Sequence, residues 1–167
     1  MRHRHLAALS AACAVLAVAG VAWAAAPATP QPPPATVGGA PIGGDPITIR
    51  RAILANMGAA NMIGGAMARG DMPYDADKAM AVMRVINNGI MGVVNYFPAG
   101  SNTGPTRALP PVFENRAEFL RRAENLRAAS ATYLQNPPAD AAAFPAAYMN
   151  VTRNCGMCHE MFRRPLQ

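Results

Sequence analysis

Cys155-Gly156-Met157-Cys158-His159 stands near the end of the chain, on the last stretch that can form a helix, and that placement decides the reading of the fold. Two cysteines three apart, followed at once by a histidine, match the attachment site of c-type haem: the thiols bond to the vinyl groups and the imidazole ligates iron. On a helix, positions i, i+3 and i+4 share one face, so all three side chains can address one macrocycle.

Other readings of the pentad have less behind them. A thioredoxin-like Cys-x-x-Cys belongs in a βαβ context and opens a helix, where the dipole lowers the thiol pKa; here the motif closes a run of helices. A structural zinc site needs four ligands, and the remaining candidates, Cys13, His3 and His5, lie in a removable leader. A simple disulfide is poorly served by a three-residue spacing within one regular helix.

The leader is well marked. Arg2 and Arg4 precede an uncharged apolar run from Leu6 to Ala22, and Ala22-Trp23-Ala24 supplies a small-x-small cleavage pattern. Residues 1–24 are therefore expected to be a signal peptide cleaved near Ala24, with an uncleaved anchor as the alternative for so long an apolar run. Export to the periplasm follows if the chain is bacterial. Cys13 sits inside the apolar run and is read as signal sequence, not as a lipid site.

The whole chain has a formal charge of +6, which falls to +4 once Arg2 and Arg4 are removed. Two haem propionates would halve the remainder. The arginines are scattered with no basic run or interleaved aromatics, so nucleic acid is not an expected partner. Residues 25–44 are mostly Pro, Gly, Ala and Thr, with Pro32-Pro33-Pro34 as the stiffest part, and read as a linker. Residues 45–167 then form one domain, large enough for a single core.

Four helices are expected in it. Asp45 as N-cap and Pro46 at the first helical position start the first, which runs to about Arg69 before Gly70. A second opens near Asp75 and runs to about Tyr96, stopped by Phe97-Pro98-Ala99-Gly100. An irregular crossover, Pro98 to Glu114, leads to a third, with Asn115 and Glu118 arranged as a capping box. Phe119, Leu120, Ala123, Leu126, Ser130, Tyr133 and Leu134 form its apolar stripe. In the fourth, Asp140 can cap, Pro145 should delay or kink the start, and Ala146 to Arg164 is helical except for the weak point at Gly156. Sustained period-two alternation is absent, so essentially no sheet is expected. The many methionines, including Met57, Met62, Met67 and Met72, step around helices instead of lining one face, which predicts core filling in preference to copper handling.

A haem motif at the end of four helices resembles the class II c-type cytochromes, the cytochrome c′ family. Arg50 with Leu54, Pro73-Tyr74-Asp75, Phe97-Pro98-Ala99-Gly100-Ser101, and Cys155 through Glu160 followed by Phe162-Arg163 carry the likeness, over about Pro46 to Arg164. One departure is Phe113, where many relatives have tryptophan. The resemblance implies an all-α antiparallel four-helix bundle with one covalently bound haem c per chain, often paired into a homodimer through helices 1 and 2.

It also implies roles. Cys155 and Cys158 would be the attachment points and His159 the proximal iron ligand. Arg163 would lie beside the imidazole, where its charge disfavours oxidised iron, or else serve as a helix-end arginine complementing the dipole. Arg50 is similar to a family arginine near a haem propionate, with Arg51 competing. Registering on Pro73-Tyr74-Asp75 puts Leu54 over the other face of the iron, and leucine has no lone pair, so a five-coordinate, open centre is expected. Met57, three residues on, is the alternative: its sulfur as sixth ligand would make a low-spin His/Met electron carrier.

The expected function is electron transfer, binding of small gases such as NO or CO, or both, with an unidentified redox partner protein. A haem-free thiol or metal protein is the remote alternative. An enzyme is not expected, because His159 is committed to iron and is the only histidine outside the leader.

Overall fold

The computed structural model describes residues 44–165, together with the backbone of two short strands just before them. The expected signal peptide, residues 1–24, and most of the 25–44 linker lie outside the described residues, as do Gln167 and its neighbour. Within the linker, β1 (Thr36–Val37) pairs antiparallel with β2 (Ala40–Pro41), a ladder of two residues a side that the expectation of no sheet missed. The rest is helical: α1 (Pro46–Arg69), α2 (Ala76–Val93), a single 3-10 turn (Val94–Tyr96), the one-turn α3 (Pro111–Glu114), α4 (Arg116–Gln135) and α5 (Phe144–Phe162).

The helix ends follow their local chemistry. The Asp45 carboxylate accepts from Ile47 N at 3.3 Å and Thr48 N at 2.9 Å, and Pro46 contributes no amide that would need a partner. Gly70 closes α1 at φ 80°, a left-handed conformation that glycine adopts without a Cβ penalty, and its N–H returns to Ala66 and Met67 carbonyls. Asp75 caps α2 through Lys78 N at 3.0 Å. At α4 the Asn115 side chain accepts from Glu118 N, but Glu118 does not complete the capping box. Its carboxylate is taken instead by Arg121 at 2.6 Å and Arg122 at 2.7 Å, charge-assisted bonds that outcompete a backbone amide and hold it well below its ordinary value, at about 2.

Two expectations about the ends are corrected. Pro145 does not delay α5; it occupies the first turn, where its missing N–H costs nothing, so the helix begins at Phe144 and ends at Phe162. Asp140 caps the turn leading in, accepting from Ala143 N at 2.9 Å. The crossover also holds a helical turn, α3, begun by Pro110-Pro111.

Neighbouring helices run antiparallel. Arg116 at the start of α4 reaches Val94 O beyond the end of α2, Phe119 near the start of α4 stacks edge-on with Phe162 at the end of α5, and Tyr148 near the start of α5 meets Asn61 in the second half of α1. The main core, built around Met83, Ile86, Leu126, Phe144 and Val151, joins all four long helices, and a smaller cluster of Val112, Phe119 and Phe162 lies under the crossover. Leu120 is not part of the stripe: it is exposed on α4, while Phe119, Ala123, Leu126, Ser130 and Tyr133 are buried. Core filling holds for Met57, Met67 and Met83, whereas Met62, Met91, Met149, Met157 and Met161 are exposed.

Two glycines set how closely helices approach. A Cβ on Gly64 would lie 2.4 Å from the Tyr148 ring, and one on Gly89 would lie 2.5 Å from Met57 Cγ and 2.6 Å from its Sδ. Tyr148 is pinned by its hydroxyl, which donates to Asn61 O at 2.7 Å.

Candidate functional site

A cavity of about 710 Å³ opens between α1 and α5 and extends beneath the crossover. Cys155, Cys158 and His159 line it from α5, brought to one wall by the i, i+3, i+4 spacing, and all three are half-buried. Leu54, Met57 and Gly58 line it from α1, Ile86, Ile90 and Leu126 contribute apolar surface, and Arg50, Arg51, Arg107 and Arg163 complete it. The two thiols are free cysteines on adjacent turns of the helix.

Burial sets the state of the α5 groups. The Cys155 thiol is pushed up to about 11, by burial first and then by Cys158 beside it, and burial raises Cys158 as well. Thiols held in the protonated form are poor redox nucleophiles, which weighs against a thioredoxin-like use of the pair. Among the described residues no group of three or more His, Cys, Asp and Glu side chains could hold a metal ion, so a zinc centre has no ligand set there.

His159 is lowered to about 4, by burial and then by the charges of Arg163 and Arg107. A neutral imidazole is the form that ligates a metal. The same shift predicts the acid response of the haem-free chain. Between the unfolded value of 6.5 and about 4 the unfolded state binds a proton that the folded state refuses. Stability is therefore full above the upper limit and is lost as pH falls through this window. Urea midpoints measured at about pH 7 and about pH 4.5 should fall for the haem-free protein and fall less for His159→Gln. Equal losses in the two proteins would refute the assignment.

Arg50 is nearly inaccessible, at 1% exposure. One terminal nitrogen donates to Tyr96 O at 3.0 Å and Ser101 Oγ at 2.8 Å, the other to Ser101 O at 2.6 Å and Thr106 Oγ1 at 2.7 Å, and the guanidinium lies 4.5 Å from the Phe97 ring centroid. Its hydrogen bonds thus go to the 3-10 turn that follows α2 and to the crossover. Arg51 is exposed at the cavity wall. Arg163 is exposed past the end of α5, where its N–H donates to His159 O at 3.0 Å. Arg107 was missed by sequence reasoning: it stands in an irregular segment with no local motif, yet it lines the cavity and its charge acts on both His159 and Arg163. Among the described residues neither Arg107 nor Arg163 has a carboxylate partner.

Leu54 and Met57 differ in placement. Leu54 is 38% exposed at the cavity wall, whereas Met57 is 8% exposed, with its thioether turned against α2 at Gly89.

The family model described as Cytochrome C′ matches residues 45–163. The chain belongs to the cytochrome c′ family. A cytochrome c′ from Rhodopseudomonas palustris is 36% identical over 120 residues, covering 71% of this chain and 82% of that protein. Cytochrome c-556 from Agrobacterium tumefaciens (strain II Chrys) is 34% identical over 112 residues, covering 64% and 91% respectively. A solved structure of cytochrome c′ from Rhodopseudomonas palustris matches with a TM-score of 0.70 at 32% identity, over 74% of this chain and 99% of its own.

Cytochrome c′ proteins carry covalently attached haem c, and this chain is a c-type haem protein with its cysteine pair in place. The cavity fits that group. Its volume lies within the range of cofactor sites, its lining is mainly apolar, two thiols and an imidazole share one wall, and guanidiniums without acidic partners suit a cofactor that brings two carboxylates.

Proposed function

We propose that this cytochrome c′ is an exported protein that transfers single electrons and takes up small gases, with His159 holding the iron from α5 and Leu54 screening its other side from α1. The observation that carries the open-site reading is the seat of Met57: its sulfur packs into the notch that Gly89 leaves in α2, so it is committed to the contact between helices. When bound, the haem supplies a one-electron couple and an iron that small ligands can reach.

The chain's own residues do the rest. Cys155 and Cys158 fix the macrocycle covalently. Leu54 excludes water and offers no donor atom. Arg163 disfavours the oxidised state through its charge, and Arg107 and Arg51 give the haem carboxylates positive partners. A cytochrome c prime mutant from Alcaligenes xylosoxidans, of the same fold at TM-score 0.64 and 21% identity, has been solved as a nitric oxide complex. The leader supports delivery to the periplasm. A homodimer would use the outer face of α1 and α2, where Ile53, Asn56, Val85, Asn88 and Gly92 line a groove.

The low-spin alternative keeps one support, since Met57 also borders the cavity. Optical spectra decide between the two. The wild type should show high-spin bands and bind carbon monoxide when reduced, Met57→Leu should leave both unchanged, and Leu54→Met should convert the centre to low spin. A wild type that ignores carbon monoxide, made reactive by Met57→Leu, would sink the open-site reading.

A further inference from the structure

We propose that the crossover between α2 and α4 is a strap that sets the gap between the two cavity walls, with Arg50 and Arg107 as its positioning residues. At one end Arg50, one turn before Leu54 on α1, holds the segment by four hydrogen bonds, to Tyr96, Ser101 and Thr106. At the other end the same segment is stitched to the chain just past His159. Leu109 N donates to Phe162 O at 3.0 Å, Arg164 N donates to Arg107 O at 2.9 Å, Ala108 and Arg163 form an isolated antiparallel bridge, and the Arg107 guanidinium donates to Arg164 O.

The two attachments lie on opposite sides of the cavity. Arg50 precedes Leu54 by one helical turn on α1, and Arg163, extended just past the end of α5, follows His159 by four residues, so each attachment lies close in sequence to a side chain that faces the iron site. Between them only a few residues intervene, and Thr106 ties the two halves together: its Oγ1 accepts from Arg50 and from Ala108 N at 3.2 Å. A displacement of α1 is therefore transmitted to the end of α5 through the Arg50 and Thr106 side chains and then the hydrogen-bonded backbone at Arg107 and Leu109. Helices α1 and α5 already meet at Tyr148 and Gly64, where the ring pins their spacing. The strap closes the far end of the cavity, beyond the reach of that contact. The inference deepens the open-site reading above and rests on it: what the strap regulates is access of a small gas past Leu54.

The test is a double-mutant cycle on the haem-loaded protein, using Arg50→Lys, which keeps a buried donor, and Arg107→Gln. The primary measurement is the association rate of carbon monoxide with the reduced form. Each variant should speed association roughly fivefold, and the double variant should be no faster than the faster single one, because residues that act through one element are not additive. Rates that multiply would overturn the strap, since removal of the Arg107 charge and loosening of Arg50 would then act independently. Unchanged rates alongside lower unfolding midpoints would also overturn it, leaving the bonds as a staple for stability only. Reduction potentials are measured on the same four proteins. A wild type that fails to bind carbon monoxide would overturn the open-site reading instead, and the strap would then stand or fall on whether the potentials show the same non-additivity.

Discussion

Replacing Cys155 and Cys158 together by alanine should remove covalent haem completely: a haem-peroxidase stain on a denaturing gel, strong for wild type expressed into a bacterial periplasm, should show no band. No other change in this chain is expected to have so large an effect. Both thiols line the cavity, and they are its only candidates for thioether bonds among the described residues. Single replacements should each leave one bond and a weaker band, whereas His159→Ala should keep the stain and lose the spectrum of a histidine-ligated iron. The consequence reaches the fold. The cavity measures about 710 Å³ in a domain of modest size, and apolar walls left unsupported lose contacts in proportion to the space between them. The double variant should therefore stay folded at neutral pH but unfold at a clearly lower urea midpoint than the haem-loaded wild type. A wild-type midpoint would show that the bundle does not depend on the macrocycle. A wild type without the stained band would favour the haem-free reading of the pentad.

How much of this was legible in the sequence depended on whether the signal was local. Asp45-Pro46, Gly70, Asp75 and Asn115 act within a turn of themselves, and the ends of α1, the start of α2 and the start of α4 came out where their side chains put them. Pro145 is equally local but ambiguous, since proline both breaks a helix interior and suits a first turn; the turn capped by Asp140 decides for the second. Leu120 and the exposed methionines were misjudged because periodicity counts apolar residues and not the neighbours available to cover them. The sequence order of Cys155, Cys158 and His159 already contained their shared wall, because one helix generates it. The rest of the site is assembled by long-range contacts. Nothing near Met57 announces that Gly89, on another helix, makes room for its sulfur, and nothing near Arg107 announces that it will stand beside His159. Arg50 was singled out, but its partners lie 46 to 56 residues away.

Arg50→Leu should be the most damaging substitution that touches no cysteine or histidine, costing about 1–3 kcal/mol for each backbone carbonyl it strands, a large share of the 5–15 kcal/mol typical of a domain. The side chain is 1% exposed, and its bonds are charge-assisted, with acceptors that include two backbone carbonyls, Tyr96 O and Ser101 O. Leucine would fill part of the volume but would leave those part-buried carbonyls without the guanidinium, and each buried unsatisfied group costs about 1–3 kcal/mol. The contact with Phe97 would also lose its cationic component. Charge alone does not rescue the site, because the planar fork addresses four acceptors that a single ammonium cannot reach together. Arg50→Lys should thus recover only part of the loss. Urea unfolding of the haem-loaded protein measures the series, with wild type above Arg50→Lys and Arg50→Leu lowest. Arg51→Leu, on the neighbouring exposed position, should change the midpoint little. A loss at Arg51 equal to that at Arg50 would mean that the guanidinium is valued for its charge near the haem carboxylates. A loss confined to Arg50 would assign its role to the crossover it holds.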